Sequence, residues 1–544
     1  MTPRLSIDDL SIAMPEGADR ALALDGVSLS IGSDEIVCLV GESGSGKSMT
    51  ARAILRLLPP VVRLTGGRII LDGKQDLLRL PEAGMRAVRG ARIGMIFQEP
   101  MSALNPLHSI GAQIGEAFRV HTELGRREIE ARVQALLAEV LIPDPLSAVK
   151  AYPHELSGGQ RQRAMIAMAL AMEPGLLIAD EPTTALDVTT QAQILKLIRE
   201  LQKRKGTGVL FITHDFGVVA EIADRVAVMQ GGKIVEQGAA EDILNRPQHP
   251  YTRRLIAAIP PLHPAPSRLP ERSAQLQVTG LTKTYGGKGP FRKHGRVIHA
   301  LKDVSFDLHR GVTLGIVGES GSGKSTLARC LVRLLEADSG QVRLDGIDLS
   351  ALSAKQWQRE SRRIQMVFQD PFGSLNPRRR AGEIVAQGSI VRGEPRKQVQ
   401  DRVRRLFDLV GLDPDATLRF PHEFSGGQRQ RIGLARALAL EPEILIADEP
   451  VSALDVSVQA QVLDLLADLR ERLGLSLVFI THDLRVAAKV ADDILVMQNG
   501  EIVESGPASQ ILLHPKHPYT QALIASVPGR HWTPPDAGTA DSAA

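Results

Sequence analysis

Hydrophobic and polar positions change period several times along the chain, and each change marks an element. Near the start, LSIDDLSI from Leu5 and ALDGVSLSI from Ala23 alternate apolar with polar residues, the period-two pattern of strands with one covered face. EIVCLV, residues 35–40, is a continuous apolar run and predicts a strand buried on both faces, leading directly into a glycine-rich loop. After that loop MTARAILRLL from Met49 follows a helical pattern. GRIILDG from Gly67 and GQVRLDG from Gly340 read as edge strands ending in turns, and the stretches 111–149 and 382–412 read as charged helices. Further on, LLIAD, TTQAQILKLIRELQKR and GVLFITH succeed one another as strand, helix and strand. That alternation predicts an α/β fold with a parallel sheet covered by helices.

The whole pattern occurs twice. GESGSGKS at 41–48 returns at 318–325, an offset of 277; QEPMSALNP from Gln98 returns as QDPFGSLNP from Gln369. ELSGGQRQR from Glu155 returns as EFSGGQRQR from Glu423, FITHDF as FITHDL, and HPYT at 249 as HPYT at 517, all at an offset of 268. A repeat this long is a tandem duplication of a whole domain, not a solenoid of short units. The expected organisation is a first domain over 1–259, a proline-rich linker over 260–274 opening PPLHPAPSRLP, a second domain over 275–528, and a disordered tail over 529–544.

The repeated segments carry the candidate chemistry. G-x-x-x-x-G-K-S between a buried strand and a helix surrounds an anion with backbone N–H groups and a helix N-terminus. Gly41, Ser43, Gly44 and Gly46, and in the second half Gly318, Ser320, Gly321, Gly323 and Thr326, are the cradle residues. Lys47 and Lys324 would reach the β- and γ-phosphates, and Ser48 and Ser325 would offer a hydroxyl to Mg²⁺. The bland alternative, a flexible Gly-Ser turn, does not account for two copies in the same strand–loop–helix setting. In LLIADEP and ILIADEP a buried strand delivers a carboxylate to its end: Asp180 and Asp448 suit Mg²⁺, and Glu181 and Glu449 can polarise a water. Gln98 and Gln369 follow the apolar runs RIGMIF and RIQMVF and can touch the metal or water, while His214 and His482 end strands and suit a γ-phosphate contact. Ser157, Gly158 and Gly159, with Ser425, Gly426 and Gly427, open amphipathic helices and form a second anion-binding device in each half. Two phosphate cradles per domain make sense if the second serves a nucleotide held by the other half.

In this order the segments resemble the ATP-binding cassette (ABC) ATPases: phosphate loop, Q-loop, LSGGQ signature, DEP, the ALD D-loop at 185–187 and 453–455, and histidine loop. The resemblance covers residues 5–525. It implies two tandem P-loop NTPase cassettes, each a RecA-like parallel-sheet core with an antiparallel β subdomain and a helical signature subdomain. It also implies ATP and Mg²⁺ as ligands, with Lys47, Ser48, Gln98, Asp180, Glu181 and His214 facing Ser425, Gly426 and Gly427. The other site would join Lys324, Ser325, Gln369, Asp448, Glu449 and His482 to Ser157, Gly158 and Gly159. Neither half is degenerate, so two hydrolysing sites are expected. The family usually stacks adenine on an aromatic residue ahead of the phosphate loop. Tyr285 fills that role in the second half, but the first half has no aromatic before Phe97, and Met14 is the candidate replacement.

The SALNP and GSLNP segments and the HPYTRRLIAAIP and HPYTQALIASVP extensions resemble the oligopeptide/dipeptide/nickel importer ATPases, with two subunits fused as in microcin- or glutathione-type importers. The resemblance implies two permease partners docking around 101–106 and 372–377, an extracytoplasmic binding protein, and a peripheral position on the cytoplasmic face of the inner membrane. Some relatives bind an iron–sulfur cluster after HPYT; no Cys follows Cys330 here, so none is expected. Alternatives are an importer of nickel, a sugar or another small solute, or a twin cassette acting on ribosomes, although the short proline-rich connection is unlike the long charged helical linker of that last class.

Composition narrows the rest. Among 544 residues, 65 Lys and Arg against 62 Asp and Glu leave +3, too little for a global attraction to nucleic acid. Aromatic residues are 3%, too few for stacking platforms. No apolar run approaches the roughly 18–20 residues that cross a bilayer, and the opening MTPRLSIDDL is unlike a signal peptide. Cys38 and Cys330 cannot make a disulfide framework or a four-thiolate site, and both are expected buried and inert.

Overall fold

The computed structural model describes all residues except 1, 19, 100–102, 184–185, 265–272, 287–296, 453 and 536–544, and the side chains of 371–372. The expected D-loop residues 185 and 453, part of the linker and part of the 101–106 segment lie outside the described residues. The chain forms two units, Met1–Ala258 joined by the segment from Val527 onward, and Ile259–Ser526.

The described strands of the first unit are β1 (Leu5–Ala13), β2 (Leu22–Ile31), β3 (Ile36–Val40), β4 (Arg63–Leu71), β5 (Gln75–Asp76), β6 (Ile93–Ile96), β7 (Leu176–Asp180), β8 (Gly208–Thr213), β9 (Arg225–Gln230) and β10 (Lys233–Ala239). An antiparallel sheet runs β2-β1-β4-β5 and a larger one β10-β9-β3-β8-β7-β6. In the larger sheet β9, β3, β8, β7 and β6 are parallel and β10 is antiparallel to β9. All five residues of β3 are fully buried, as a continuous apolar run requires when both faces are covered. The side chains of β3, β7 and β8 meet those of β1, β2 and β4 in one core. GRIILDG differs from expectation: β4 lies between β1 and the two-residue β5, which forms the edge on that side of the sheet.

Helices Ile110–His121, Arg126–Glu139 and Pro145–Lys150 occupy the stretch expected to be helical. The helix after the glycine loop, Lys47–Ile54, is shorter than the MTARAILRLL pattern, because Arg56 turns left-handed (φ 52°) ahead of Pro59 and Pro60. Helix Val188–Lys205 is bounded by Asp187, whose carboxylate accepts from the Thr190 N–H at 2.9 Å, and by Gly206 at φ 61°.

The second unit repeats this plan. Thr313–Val317 is central, parallel to Ser476–Ile480 on one side and Asp493–Gln498 on the other, and Ile444–Asp448 and Ile364–Val367 complete the parallel set. Its smaller sheet is built on Ala274–Tyr285 and Ile298–His309.

The expected tail over 529–544 is corrected for its described part. Val527 is buried, the Gly529 N–H donates to Glu221 at 3.3 Å, and the Trp532 indole N–H donates to Asn245 at 3.1 Å. The Pro528 carbonyl fits against Gly217, where a Cβ would come within 2.7 Å of it. These contacts tie 527–532 to the first unit. Pro260, the expected first linker residue, is buried in the second unit, its carbonyl 3.5 Å from Arg485. Among the described residues no helix is long and apolar enough to cross a membrane.

Candidate functional site

Parallel register brings the candidate side chains together. Val40 aligns with Thr213, Ile212 with Asp180, and Ala179 with Ile96. The carboxyl ends of β3, β8, β7 and β6 therefore form one edge, and the residues that follow them are the phosphate loop, His214, Glu181 and Gln98. Open parallel sheets place ligands at this edge.

The loop after β3 folds back on its own lysine. The Lys47 Nζ donates to the carbonyls of Gly41 (2.6 Å) and Glu42 (2.9 Å), and the Ser45 N–H donates to the Glu42 carbonyl at 3.1 Å. Glycine is required at Gly41, φ 151°, where a Cβ would stand 2.3 Å from the Met229 carbonyl oxygen. The second loop repeats this: Lys324 Nζ donates to Gly318 and Glu319 carbonyls, both at 2.7 Å, and a Cβ on Gly318 would meet the Met497 carbonyl oxygen at 2.2 Å. Each lysine is buried yet satisfied by carbonyl oxygens, so its charge is held at the loop centre.

Beside the loop the Ser48 hydroxyl donates to Asp180 Oδ1 at 2.9 Å, and Ser325 to Asp448 at 3.1 Å. Burial pushes both carboxyls above the usual carboxylate range, and the serine hydroxyl and nearby Arg and Lys charges only partly offset it. One residue on, Glu181 (φ 48°) and Glu449 (φ 46°) adopt left-handed backbone while their N–H groups still bond to Ile212 and Ile480. That turn is uncommon for glutamate.

Glu181 Oε2 accepts from the Gln98 amide at 3.0 Å and lies 3.5 Å from His214 Nδ1. Glu449 Oε2 accepts from Gln369 at 2.9 Å and lies 3.3 Å from His482 Nδ1. Burial acts to raise Glu449, but the His482 bond and charge, with Lys324 and Gln369, bring it below the ordinary value. Burial acts to lower His482, but Glu449 and Asp483 hold it above its ordinary value. The arrangement keeps an ionised carboxylate beside a phosphate-type loop, with a histidine and an amide fixing its orientation.

Lys47, Ser48, Gln98, Asp180, Glu181 and His214 thus gather at one edge, as do their six counterparts. Ser157, Gly158 and Gly159 sit apart, at the start of helix Gly158–Leu170. The Ser157 hydroxyl accepts from the Gln160 N–H at 3.3 Å, and the Gln160 side chain accepts from the Ser157 N–H at 3.0 Å. Ser425, Gly426 and Gly427 open helix Gly426–Leu438 with the same reciprocal cap. Ser157 and Ser425 are both exposed, so each cradle faces outward from its own fold.

Strand register identifies Met14 as the counterpart of Tyr285. The Met14 N–H donates to the Ala21 carbonyl at 2.8 Å, extending the β1–β2 ladder, and Tyr285 pairs with Ile298 at the corresponding position. The Tyr285 ring is partly exposed, its hydroxyl 3.5 Å from that of Thr326 beside the second loop; Met14 packs against the first core. Both cysteines are buried, which drives the Cys38 thiol strongly up and the Cys330 thiol up to about 11, so neither is a thiolate near neutrality.

One pair of residues escaped the motif reading. The Tyr251 and Tyr519 hydroxyls of the two HPYT segments touch the phosphate loops, accepting from the Glu42 N–H at 3.1 Å and the Glu319 N–H at 3.0 Å. The recurrence of a tyrosine at a constant offset was the available signal.

Comparison with known proteins agrees with this geometry. The family model described as ABC transporter matches residues 24–184 and 301–452, and that of the oligopeptide/dipeptide transporter C-terminal region matches 235–292 and 503–537. The chain is similar to a peptidoglycan transport ATP-binding protein of Agrobacterium fabrum, 50% identical over 528 residues and 96% of each chain. It is also similar to a glutathione import ATP-binding protein of Escherichia coli O157:H7, 46% identical over 560 residues, 96% of this chain and 89% of that protein.

Proposed function

The chain belongs to the ABC transporter ATP-binding family, and from that premise we propose that it is the ATP-hydrolysing, energy-coupling subunit of an importer for peptides or peptide-like compounds. The observation that carries this reading is the complete set Lys, Ser, Gln, Asp, Glu and His at the strand edge of both units, joined to an extension matched by the oligopeptide/dipeptide family. The relatives' peptidoglycan and glutathione transport supports a peptide-like cargo.

ATP binds with its phosphates in the loops at 41–48 and 318–325, replacing the loop carbonyls as partners of Lys47 and Lys324. The site residues fit Mg²⁺: a serine hydroxyl, a carboxylate whose burial favours a cationic partner, and a glutamine amide oxygen are hard donors. Ser48, Asp180 and Gln98 would hold one ion and Ser325, Asp448 and Gln369 the other, where Mg²⁺ would supply positive charge against the nucleotide phosphates. Glu181 and Glu449 orient the attacking water and draw its proton, His214 and His482 hold that carboxylate and contact the γ-phosphate, and Gln98 and Gln369 fix its other approach. By the family resemblance, Ser425, Gly426 and Gly427 would face a nucleotide of the first-loop type and Ser157, Gly158 and Gly159 one of the second-loop type, from the same chain or from a second copy. In this reading ATP binding draws paired cassettes together, within one chain or between two copies, and loss of the γ-phosphate releases them.

In this reading the transport path belongs to partner chains, as the relatives' role as ATP-binding components of transport systems supports. Two permease subunits, with an extracytoplasmic binding protein, hold this chain at the cytoplasmic face of the inner membrane. Affinity purification of tagged chain from gently solubilised membranes tests this. Two multi-span permeases should accompany it, and deleting the chain should stop uptake of a labelled tripeptide such as glutathione or of a muropeptide. A complex with ribosomes and no permease would contradict the reading.

A further inference from the structure

Each HPYT extension ends in contact with the ATP site of its own unit. In the first unit the Pro250–Ala257 helix buries Tyr251, 3% exposed, and its hydroxyl accepts from the backbone N–H of Glu42, 209 positions earlier. The same hydroxyl lies 3.3 Å from Glu42 Oε2. In the second unit the Pro518–Ala525 helix brings the Tyr519 hydroxyl to the Glu319 N–H at 3.0 Å.

The rest of the motif aims this tyrosine. His249 caps its helix by accepting the Tyr251 N–H on Nδ1 at 3.2 Å, and Pro250 occupies the first helical position. The Gln248 and His249 N–H groups both donate to the Glu236 carboxylate, at 2.7 and 3.2 Å, which fixes the helix start to β10. His517 and Glu504 do the same in the second unit, at 3.2 Å for the cap and at 2.8 and 3.1 Å for the carboxylate. A repeated, locally capped helix start thus delivers one hydroxyl to one loop amide.

The peptide at Glu42 is the entry to the phosphate loop. Its carbonyl accepts from Lys47 Nζ and the Ser45 N–H, and its N–H is held by Tyr251. Glu319 has the same three partners in Lys324, Ser322 and Tyr519. When ATP takes the lysine ammonium, the carbonyl loses that contact, and the tyrosine remains to keep the entry peptide in its phosphate-binding orientation. A loop already ordered loses less entropy on binding its ligand.

We propose that Tyr251 and Tyr519 are positioning residues for nucleotide binding: each hydroxyl pre-orders the phosphate loop of its own unit through the amide of Glu42 or Glu319. The inference rests on the phosphate-loop reading above. It gives the C-terminal extension a role in setting ATP affinity, while the chemistry stays with Glu181 and Glu449.

The test uses the full chain carrying Tyr251→Phe and Tyr519→Phe, which keep the ring and remove only the hydroxyl. Steady-state ATPase assays should show KM for ATP raised about three- to tenfold, the factor of one net hydrogen bond, with kcat within twofold. Titration with a fluorescent ATP analogue should weaken by the same factor. Melting of the nucleotide-free chain should change little, whereas Tyr251→Ala should lower both melting temperature and affinity. Unchanged KM in the phenylalanine double variant would overturn the inference, as would a fall in kcat with KM unchanged. A wild-type chain that bound no ATP would overturn the phosphate-loop reading and this inference together. A wild type that bound normally beside an unaffected double variant would overturn the positioning role alone.

Discussion

The exchange of Met14 and Tyr285 at matched strand positions predicts two sites of unequal affinity. Tyr285 extends its ladder against Ile298 with a partly exposed ring beside Thr326, while Met14 occupies the corresponding place and packs against the first core. Stacking a base on an aromatic ring contributes about 1–3 kcal/mol, and a methionine sulfur against a ring about 0.3–1.5 kcal/mol. The expected difference is ~1 kcal/mol, or about fivefold in Kd. Each site can be read alone: Lys324→Ala leaves the first site as the reporter, and Lys47→Ala leaves the second. Titrating both chains with a fluorescent ATP analogue should give a first-site Kd about five times the second. Met14→Tyr should tighten the first site, and Tyr285→Met should weaken the second by a comparable factor. Equal affinities in the two one-site chains, or a Tyr285→Met chain that binds as before, would refute the reasoning.

His482 faces Glu449, Asp483 and Lys324, and its pKa is raised above its ordinary 6.5. Its pairing therefore stabilises the second unit fully below about pH 6.5 and is lost as pH rises through the folded value. Melting of the nucleotide-free chain should fall as pH rises above about 6.5, and His482→Ala should flatten that slope; an unchanged slope would count against the His482–Glu449 pairing. Removing the chain from Val527 onward deletes one buried valine and the bonds to Glu221 and Asn245, about 2–4 kcal/mol of local stability. Hydrogen exchange should then quicken in helix Phe216–Ile222, and unchanged protection there would show that the segment contributes nothing.

What could be read from the sequence was local chemistry and period. The glycine loops, the Asp-Glu strand ends and the capped signature helices each announce themselves within ten residues, because backbone conformation and hydrogen bonding there are set by near neighbours. The all-apolar β3, and β7 up to its terminal Asp180, likewise declare burial on both faces. Contacts across long separations left no such trace. The bond from the Glu42 N–H to Tyr251 spans 209 positions and that from Gly529 to Glu221 spans 308. GRIILDG reads as an edge strand, yet the two-residue Gln75–Asp76 pairs along it, a contact its own pattern does not announce. The end of helix Lys47–Ile54 was set by the left-handed Arg56 and the prolines after it, against an apolar pattern that ran on to Leu58. The gathering of Gln98, Glu181 and His214 needed the parallel register, which pattern alone implied but did not fix.

The most direct test of the central claim, that ATP hydrolysis depends on the carboxylates of Glu181 and Glu449, is the ATPase rate of the double glutamine variant. Glu181→Gln with Glu449→Gln should lower turnover by about 10²-fold or more, the size expected for losing a positioned general base, while ATP binding persists. Undiminished turnover in the double variant would contradict it.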